Sequence, residues 1–450
     1  HRVVYNASAV YAGSPYIAPG FSGPANGRCG YSIEMPKDDL FLGGTDLVLD
    51  WPGGHGSETT AMQEQMGYWI AERLNLPYSH RHTIRLHVNG VTDAARQAVF
   101  EAVMQPAGDF LEAWSPDDPD GQFFKIDRAF EFNDAGGRIA DPQPRLENYT
   151  TTGGLKKTEK YRWTWMYRSA ARANNYTNLF ALVDALNATS PEPYTTATFG
   201  LVDVEQWMRI FATEHIIANF DAWGHEIGKN MYSFLPRNGQ WQLYMFDLDW
   251  LMLTALNYSA SYAPLSAPLF NSEDPTVSRM YAHPPFQRAY WRAIQDAING
   301  PLDPAQCNPV MDAKYKSLVE NGVAWCDGQP LTGPAAVKTW FSQRRTGLQN
   351  QLATVASPFT INATVTVSNG VGILTGTAPV NIGTIAVNGE PWTVRWTTVS
   401  NWVATVPLQT GSNSFSVVGL DLSGQTVAGA SNSVWVTYNF TVPSPVDTVV

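Results

Sequence analysis

Charge is scarce in this 450-residue chain, where Asp, Glu, Lys and Arg make up 15% of the residues. Lysine and arginine number 29 against 40 aspartates and glutamates, a formal net charge of −11. A nucleic-acid surface needs a basic patch, so this balance argues against nucleic acid as a partner. It does not argue against a nucleotide, because bound divalent cations offset phosphate charge locally. The chain lacks any run of about 18 apolar residues, so no transmembrane segment is expected. It also lacks a signal-type apolar stretch and begins with His1 rather than Met. That reads as a processed chain or as a segment of a larger multidomain protein; the linker-like Val442-Pro443-Ser444-Pro445-Val446 fits the second. Cysteine is rare, with three in all. Cys307 and Cys326 flank a helical stretch and could bridge, which leaves Cys29 as the odd one.

Apolar residues are plentiful. A hydrophobic content of 44% excludes a disordered chain and permits a large core. The length calls for more than one domain. Glycine and proline, at 36 and 30, point to long ordered loops. The C-terminal part is rich in Thr, Ser, Val and Asn, and lysine is sparse. Asn-X-Ser/Thr triplets occur at Asn6, Asn148, Asn175, Asn187, Asn257, Asn362 and Asn439. Together these point to a secreted or cell-surface protein, glycosylated only where the host can do it.

The texture changes near Ala356-Ser357-Pro358. Beyond it, short β-branched runs such as TVTVS, TIAVNG, WVATVPL and SVWVTYN alternate with turn pairs such as Asn388-Gly389 and Ser423-Gly424. Short strands at regular spacing read as a small β-sandwich, Ig-like in architecture but without a Cys–Trp–Cys framework. Residues 357–445 are therefore expected to form an all-β domain and the start of a linker, acting as a spacer or display module. Trp392, Trp396 and Trp402 either fill its core or bind carbohydrate.

Residues 1–356 mix strands and helices. Strand signals lie at 31–34 and 47–51, at 83–89 and in Gln122–Asp127. A helix is expected from Ser57 through Leu76, and a helix or strand over 97–104. Residues 130–160 read as an irregular insertion. Helices are expected at 178–187, 285–298, 311–321 and 334–352. Asp203-Val204-Glu205-Gln206 resembles a capping box. The helix it opens carries one apolar stripe: Val204, Trp207, Met208, Phe211, His215 and Ile216.

The chemistry concentrates in NFDAWGHEIGKNMYSFLPRNGQWQLYMFDLDW, residues 219–250. Asp221 begins a loop that Asn230 closes. Two strand-like runs follow, joined by a loop with Asn238-Gly239, and Asp247 comes straight after the second. A hairpin of this length returns Asp247 to Asn230, with Asp221 opposite. Asp247 and Asp249 share one face of an extended strand, where paired carboxylates repel unless a cation sits between them. Phosphoryl transfer needs a carboxylate to orient the acceptor hydroxyl and oxygen ligands for the metals on the phosphates. Mg²⁺ would use these groups, and a structural Ca²⁺ would satisfy them too. Each residue could instead be a cap or turn residue. His215 and His225 read as core and loop histidines rather than bases.

The run resembles the spore-coat CotH family of atypical secreted kinases. The matching residues are Asn219-Phe220-Asp221, Lys229-Asn230-Met231-Tyr232 and Phe246-Asp247-Leu248-Asp249. Weaker likenesses are Tyr31–Glu34, the helix around Glu64, Leu86 through Asn89-Gly90, Phe123-Phe124-Lys125, and the helix from Val337 with Trp340 and Arg344-Arg345. In order, they cover roughly 30–356. The resemblance implies an α+β kinase-like domain that transfers phosphate from ATP to Ser/Thr of an extracellular or surface protein. By position Asp221 would orient the acceptor, Asn230 and Asp247 would hold Mg²⁺, and Asp249 would be an outer or second-metal ligand. The lysine usual before the strand at 31–34 is replaced by Arg28-Cys29-Gly30. Arg28, Lys125 and Lys229 are the candidate phosphate cations, and Glu101 is a candidate partner for one of them. Two other readings stay open. One is a degenerate CotH-like module, a structural or adhesive part of a bacterial surface protein, its acidic site empty or holding Ca²⁺. The other is a glycan-active protein, although no second carboxylate pair marks a sugar cleft.

Overall fold

The computed structural model describes residues 2–12, 30–50, 52, 58–87, 99–128, 143–169, 174–252, 263–326, 329–362 and 364–439, and the backbone of 131–132 and 138–140. Arg28, Cys29, Ser57, Asn89, Gly90 and the 442–446 stretch lie outside the described residues. The chain divides into two compact units, one of residues 1–281 with 296–349, the other of 282–295 with 350–450.

The first unit is α+β. Its larger sheet is antiparallel: β1 (Ser8–Ala12), β2 (Gly30–Glu34), β3 (Asp46–Asp50), β4 (Arg81–Arg85) and β5 (Val99–Met104), in the order β1-β2-β3-β5-β4. The expected strands at 31–34 and 47–51 appear as β2 and β3, with Tyr31 opposite Leu49. Of the segment at 97–104, Val99–Met104 is a strand, buried on both faces. The helix expected from Ser57 is Gln63–Arg73. It starts late because the Glu58 carboxylate collects the amides of Thr60 and Gln63 ahead of the first turn.

The smaller sheet holds β6 (Gln122–Ile126), β7 (Trp165–Tyr167), β8 (Met231–Leu235) and β9 (Gln242–Met245), in the order β9-β8-β6-β7. The β8–β9 hairpin pairs Met231 with Met245 and Phe234 with Gln242. On its other side Tyr232 lies opposite Lys125. Phe123 stacks on Tyr232 with ring centroids 5.0 Å apart. Helices also form at Thr177–Leu186, Pro191–Leu201, Val204–Ile216, Pro304–Glu320 and Ala335–Ala353. No helix was expected over Pro191–Leu201: Ser190-Pro191-Glu192 is a start signal, but the Thr and Gly content leaves little apolar stripe. The stretch read as irregular contains the start of a helix, Thr158–Thr164.

The second unit is a sandwich of two antiparallel sheets sharing one core of Leu374, Ile385, Trp402, Val417 and Val434, among others. Asn388 and Gly389 both have positive φ, 53° and 88°, as a two-residue type I′ hairpin requires. Trp402 is fully buried, and Trp392 and Trp396 pack against the same core. That disposition favours the packing role over a carbohydrate surface. Residues 282–295 add a helical plug. Arg288 donates to the carbonyls of Pro379 and Ile382 at 2.8 Å each, and to Val399. Its guanidinium lies 3.4 Å from the Trp396 ring centre. Arg292 reaches the Val380 carbonyl at 2.9 Å. Cys307 and Cys326 are buried thiols with no bond between them.

Candidate active site

The site is built from the end of one helix, one loop and one hairpin. Asp203 caps the Val204–Ile216 helix by accepting the Gln206 amide at 3.0 Å. The capping box is only half formed. The Gln206 side chain turns to strand β9 and pairs with both the N–H and the C=O of Leu243. This ties the helix to the hairpin. The expected apolar stripe of the helix is buried throughout.

At its C-terminus the helix closes with a Schellman motif. The Asn219 amide donates to the Glu214 carbonyl at 2.9 Å and the Ala218 amide to that of His215 at 3.1 Å. Ala218 takes the left-handed position usually given to glycine, at φ 56°. The fully buried Arg344 donates to the last helical carbonyls, His215 at 2.7 Å and Ile216 at 3.0 Å. A cation there also opposes the negative end of the helix dipole.

The following loop folds back on itself. The Lys229 amide donates to the Asp221 carbonyl at 3.0 Å, and the Trp223 amide to that of Lys229 at 2.8 Å. Trp223 is anchored through its Nε1 on Asp274 at 3.3 Å. Gly224 lies so close to the Phe211 ring that no Cβ would fit. His225 stacks on His215 at 4.2 Å, both buried, so neither is placed to act as a base. Burial lowers both imidazoles, His215 to about 4.

Closing the loop brings three of the expected residues into contact. Asn230 Nδ2 donates to Asp221 Oδ2 at 2.8 Å, and Lys229 Nζ reaches the same oxygen at 2.8 Å. The two ends of the hairpin share a backbone state: Asn230 and Asp247 both have φ of 58°. Left-handed backbone is costly for most side chains and least so for Asn and Asp. Such positions tend to cluster at functional sites.

The family model described as CotH kinase protein matches residues 26–340. The chain belongs to the CotH kinase protein family. No curated protein matches it.

In this CotH domain Asp247 is the shared electrostatic neighbour. It acts on Asp221, Asp249, Glu64, Lys229 and Lys125. Burial pushes the Asp221 carboxyl up to about 6; Lys229 pulls it down, and Asp247 and Asp127 add to the rise. Asp249 is half-buried as a residue, but one carboxyl oxygen is shut off from solvent. Its carboxyl is raised well above the ordinary range by burial, then by Asp247, Asp221 and Glu64. Burial alone would lower the Lys229 ammonium, but Asp221 and Asp247 outweigh it and hold it charged.

Among the described residues no group of three or more His, Cys, Asp or Glu could hold a metal ion. The candidate set is smaller in that sense: one amide, Asn230, and two carboxylates, Asp247 and Asp249. Mg²⁺ bound beside phosphates needs only one or two carboxylates, the rest coming from water and phosphate. The upward shift of Asp249, from burial first and the neighbouring carboxylates second, is one that a cation would relieve.

Lys125 stands on β6 and pairs with Asp127 at 2.7 Å. Glu101 does not meet it. Glu101 and Glu64 instead share Arg81, at 2.7 and 2.8 Å, and Gln65 donates to Glu101 at 2.8 Å. Arg81 also lies 3.8 Å from the Tyr68 ring centre. Sequence reasoning missed Arg81. The available signal was Glu64 and Tyr68 four residues apart on one helical face, opposite an arginine in a strand. A cavity of about 390 Å³ lies elsewhere in this unit, lined by Arg73, Asn75, Arg209 and Asp296 among others, and contains none of the candidate residues.

Proposed function

We propose that the chain is a CotH-like protein kinase that moves the ATP γ-phosphate to Ser or Thr of an extracellular or surface protein, with Mg²⁺. The observation that carries this reading is the shared oxygen of Asp221, held by Asn230 and Lys229 at the mouth of a hairpin that ends in Asp247. Asp221 would accept the proton of the acceptor hydroxyl. The hydroxyl oxygen then bonds to the γ-phosphorus as the bond to ADP breaks. An Asp221 carboxyl near 6 is mostly ionised at neutral pH and close enough to it to act as a base. Lys229 would steady the charge on Asp221 and on the phosphate. Mg²⁺ would supply charge neutralisation on the phosphates, with Asn230 and Asp247 as ligands and Asp249 behind them.

Beside Arg28, Arg81 is a candidate for the phosphate cation that the family's lysine would supply. It is buried in the larger sheet between Glu64 and Glu101, and Asp247 acts on Glu64. A guanidinium can meet phosphate bidentately. Lys125 is a second candidate. The domain over 1–356 would be the kinase and the sandwich over 357–445 a spacer, in a segment of a larger secreted or surface protein.

A second reading is favoured by one feature. The Asp221 oxygen that a base would use is already taken by Asn230 and Lys229. That suits a degenerate module kept as a structural or adhesive part, with Ca²⁺ as an alternative ion. Calorimetry with Mg-ATP on the native chain and on Asp247→Ala tests the choice. Native binding that disappears in the variant is the expected result. A native chain that binds no nucleotide would sink the kinase reading.

A further inference from the structure

Behind Asp221 lies a carboxyl that this chemistry does not use. Glu214 is 1% exposed and Asn219 is 0% exposed. The two are joined twice. Asn219 Nδ2 donates to Glu214 Oε2 at 2.9 Å, and the Asn219 amide donates to the Glu214 backbone carbonyl at 2.9 Å. Asn219 is two residues from Asp221, so this double tie sets where the chain leaves the helix.

Glu214 has no ion pair among the described residues, and its Oε1 has no hydrogen-bond partner there. The titratable groups that act on it are Asp221 in the loop and Tyr68 on the Gln63–Arg73 helix. Neither is a cation. An ionised carboxylate in that position would be both unsolvated and repelled by Asp221.

We propose that Glu214 is a positioning residue for Asp221, anchoring Asn219 as an un-ionised carboxylic acid so that the loop is tied down without a second buried charge facing Asp221. Burial, relieved in part by Asn219, raises its carboxyl to about 8, consistent with a neutral acid at physiological pH. The inference rests on reading Asp221 as the acceptor-orienting group.

The sign of the pH effect follows. Between the ordinary carboxyl range and about 8 the folded chain holds a proton that the unfolded chain has released. Folding therefore weakens as pH rises through that window. Glu214→Gln keeps the acceptor for Asn219 and cannot ionise.

The test uses the full chain as wild type, Glu214→Gln and Glu214→Ala. Melting midpoints are taken from pH 5 to pH 9, and amide exchange over 217–230 is followed by mass spectrometry. Glu214→Gln should match wild type at pH 5 and melt several degrees above it at pH 9, with wild-type protection of the loop. Glu214→Ala should lose loop protection by tenfold or more. A Glu214→Gln midpoint that runs parallel to wild type at every pH overturns the proposal. So does loop protection unchanged in Glu214→Ala. Neither readout needs nucleotide, so failure here is separable from failure of the kinase reading.

Discussion

Asn230 donates its side-chain amide to Asp221, nine residues earlier in the chain, across 2.8 Å. The contact closes the loop, and the residue that makes it is also held at a φ of 58°. Backbone and amide therefore both select asparagine, and substitutions can separate the two demands. Asn230→Gly keeps the backbone and loses a hydrogen bond to a charged group, worth about 1.5–3 kcal/mol. Asn230→Ala should lose roughly 1 kcal/mol more, because a Cβ disfavours the left-handed region. Urea unfolding of the two variants measures the difference.

Arg81 should be the costliest single loss in the larger sheet's cluster. Arg81→Ala leaves Glu64 and Glu101 buried without their ion-pair partner, a change of about 3–5 kcal/mol. Replacing Arg81, Glu64 and Glu101 together with apolar residues of similar size should cost less than that single change. Denaturant midpoints for the single and triple variants decide it. If Arg81 also meets phosphate, Arg81→Lys should fold and yet bind Mg-ATP more weakly.

Asp249 has its charge penalised by burial, and several neighbouring carboxylates add to that cost. Its raised carboxyl means the folded state keeps a proton that the unfolded chain gives up. Stability from this group is therefore fullest at acid pH and declines as pH rises. Asp249→Asn should melt higher than wild type at pH 8, on the order of a few degrees, and lose that advantage near pH 4. Added Mg-ATP should narrow the gap at pH 8, because wild type, with one more carboxylate beside the ion, gains more from the cation than the variant does. A gap that ignores Mg-ATP would count against Asp249 as a ligand.

Arg288 ties its helix to the sandwich through several backbone carbonyls. Arg288→Ala leaves those carbonyls with one donor fewer each and uncovers Trp396, a loss of about 3 kcal/mol. A fragment beginning at residue 357 lacks this side chain altogether and should melt lower than the sandwich within the full chain. Differential scanning calorimetry compares the two.

The hairpin was legible because its information is local. Asn230, the two strand runs and Asp247 lie within a few turns of chain, and the register followed from their spacing. The loop between the strands carried a correct turn signal, although neither Asn238 nor Gly239 adopts positive φ. The Glu64–Arg81–Glu101 cluster was not legible as a unit. Its members come from a helix and two strands, and only the tertiary fold shows which charge meets which. For the same reason Arg81 was not among the cations considered for Glu101, and nothing in the sequence singled out Arg288. The start of the 63–73 helix was misplaced because a glutamate took over the cap's work from the expected serine.

The plug of residues 282–295 has a consequence for synthesis. It is made before the rest of its own unit, whose last described strand ends at Tyr438. At about 5–20 residues per second, that segment waits on the order of ten seconds for its partner strands to emerge. During that interval its apolar and arginine-bearing face has nothing to dock against. A truncation before Pro379 would leave Arg288 without the Pro379, Ile382 and Val399 carbonyls it bonds in the finished unit.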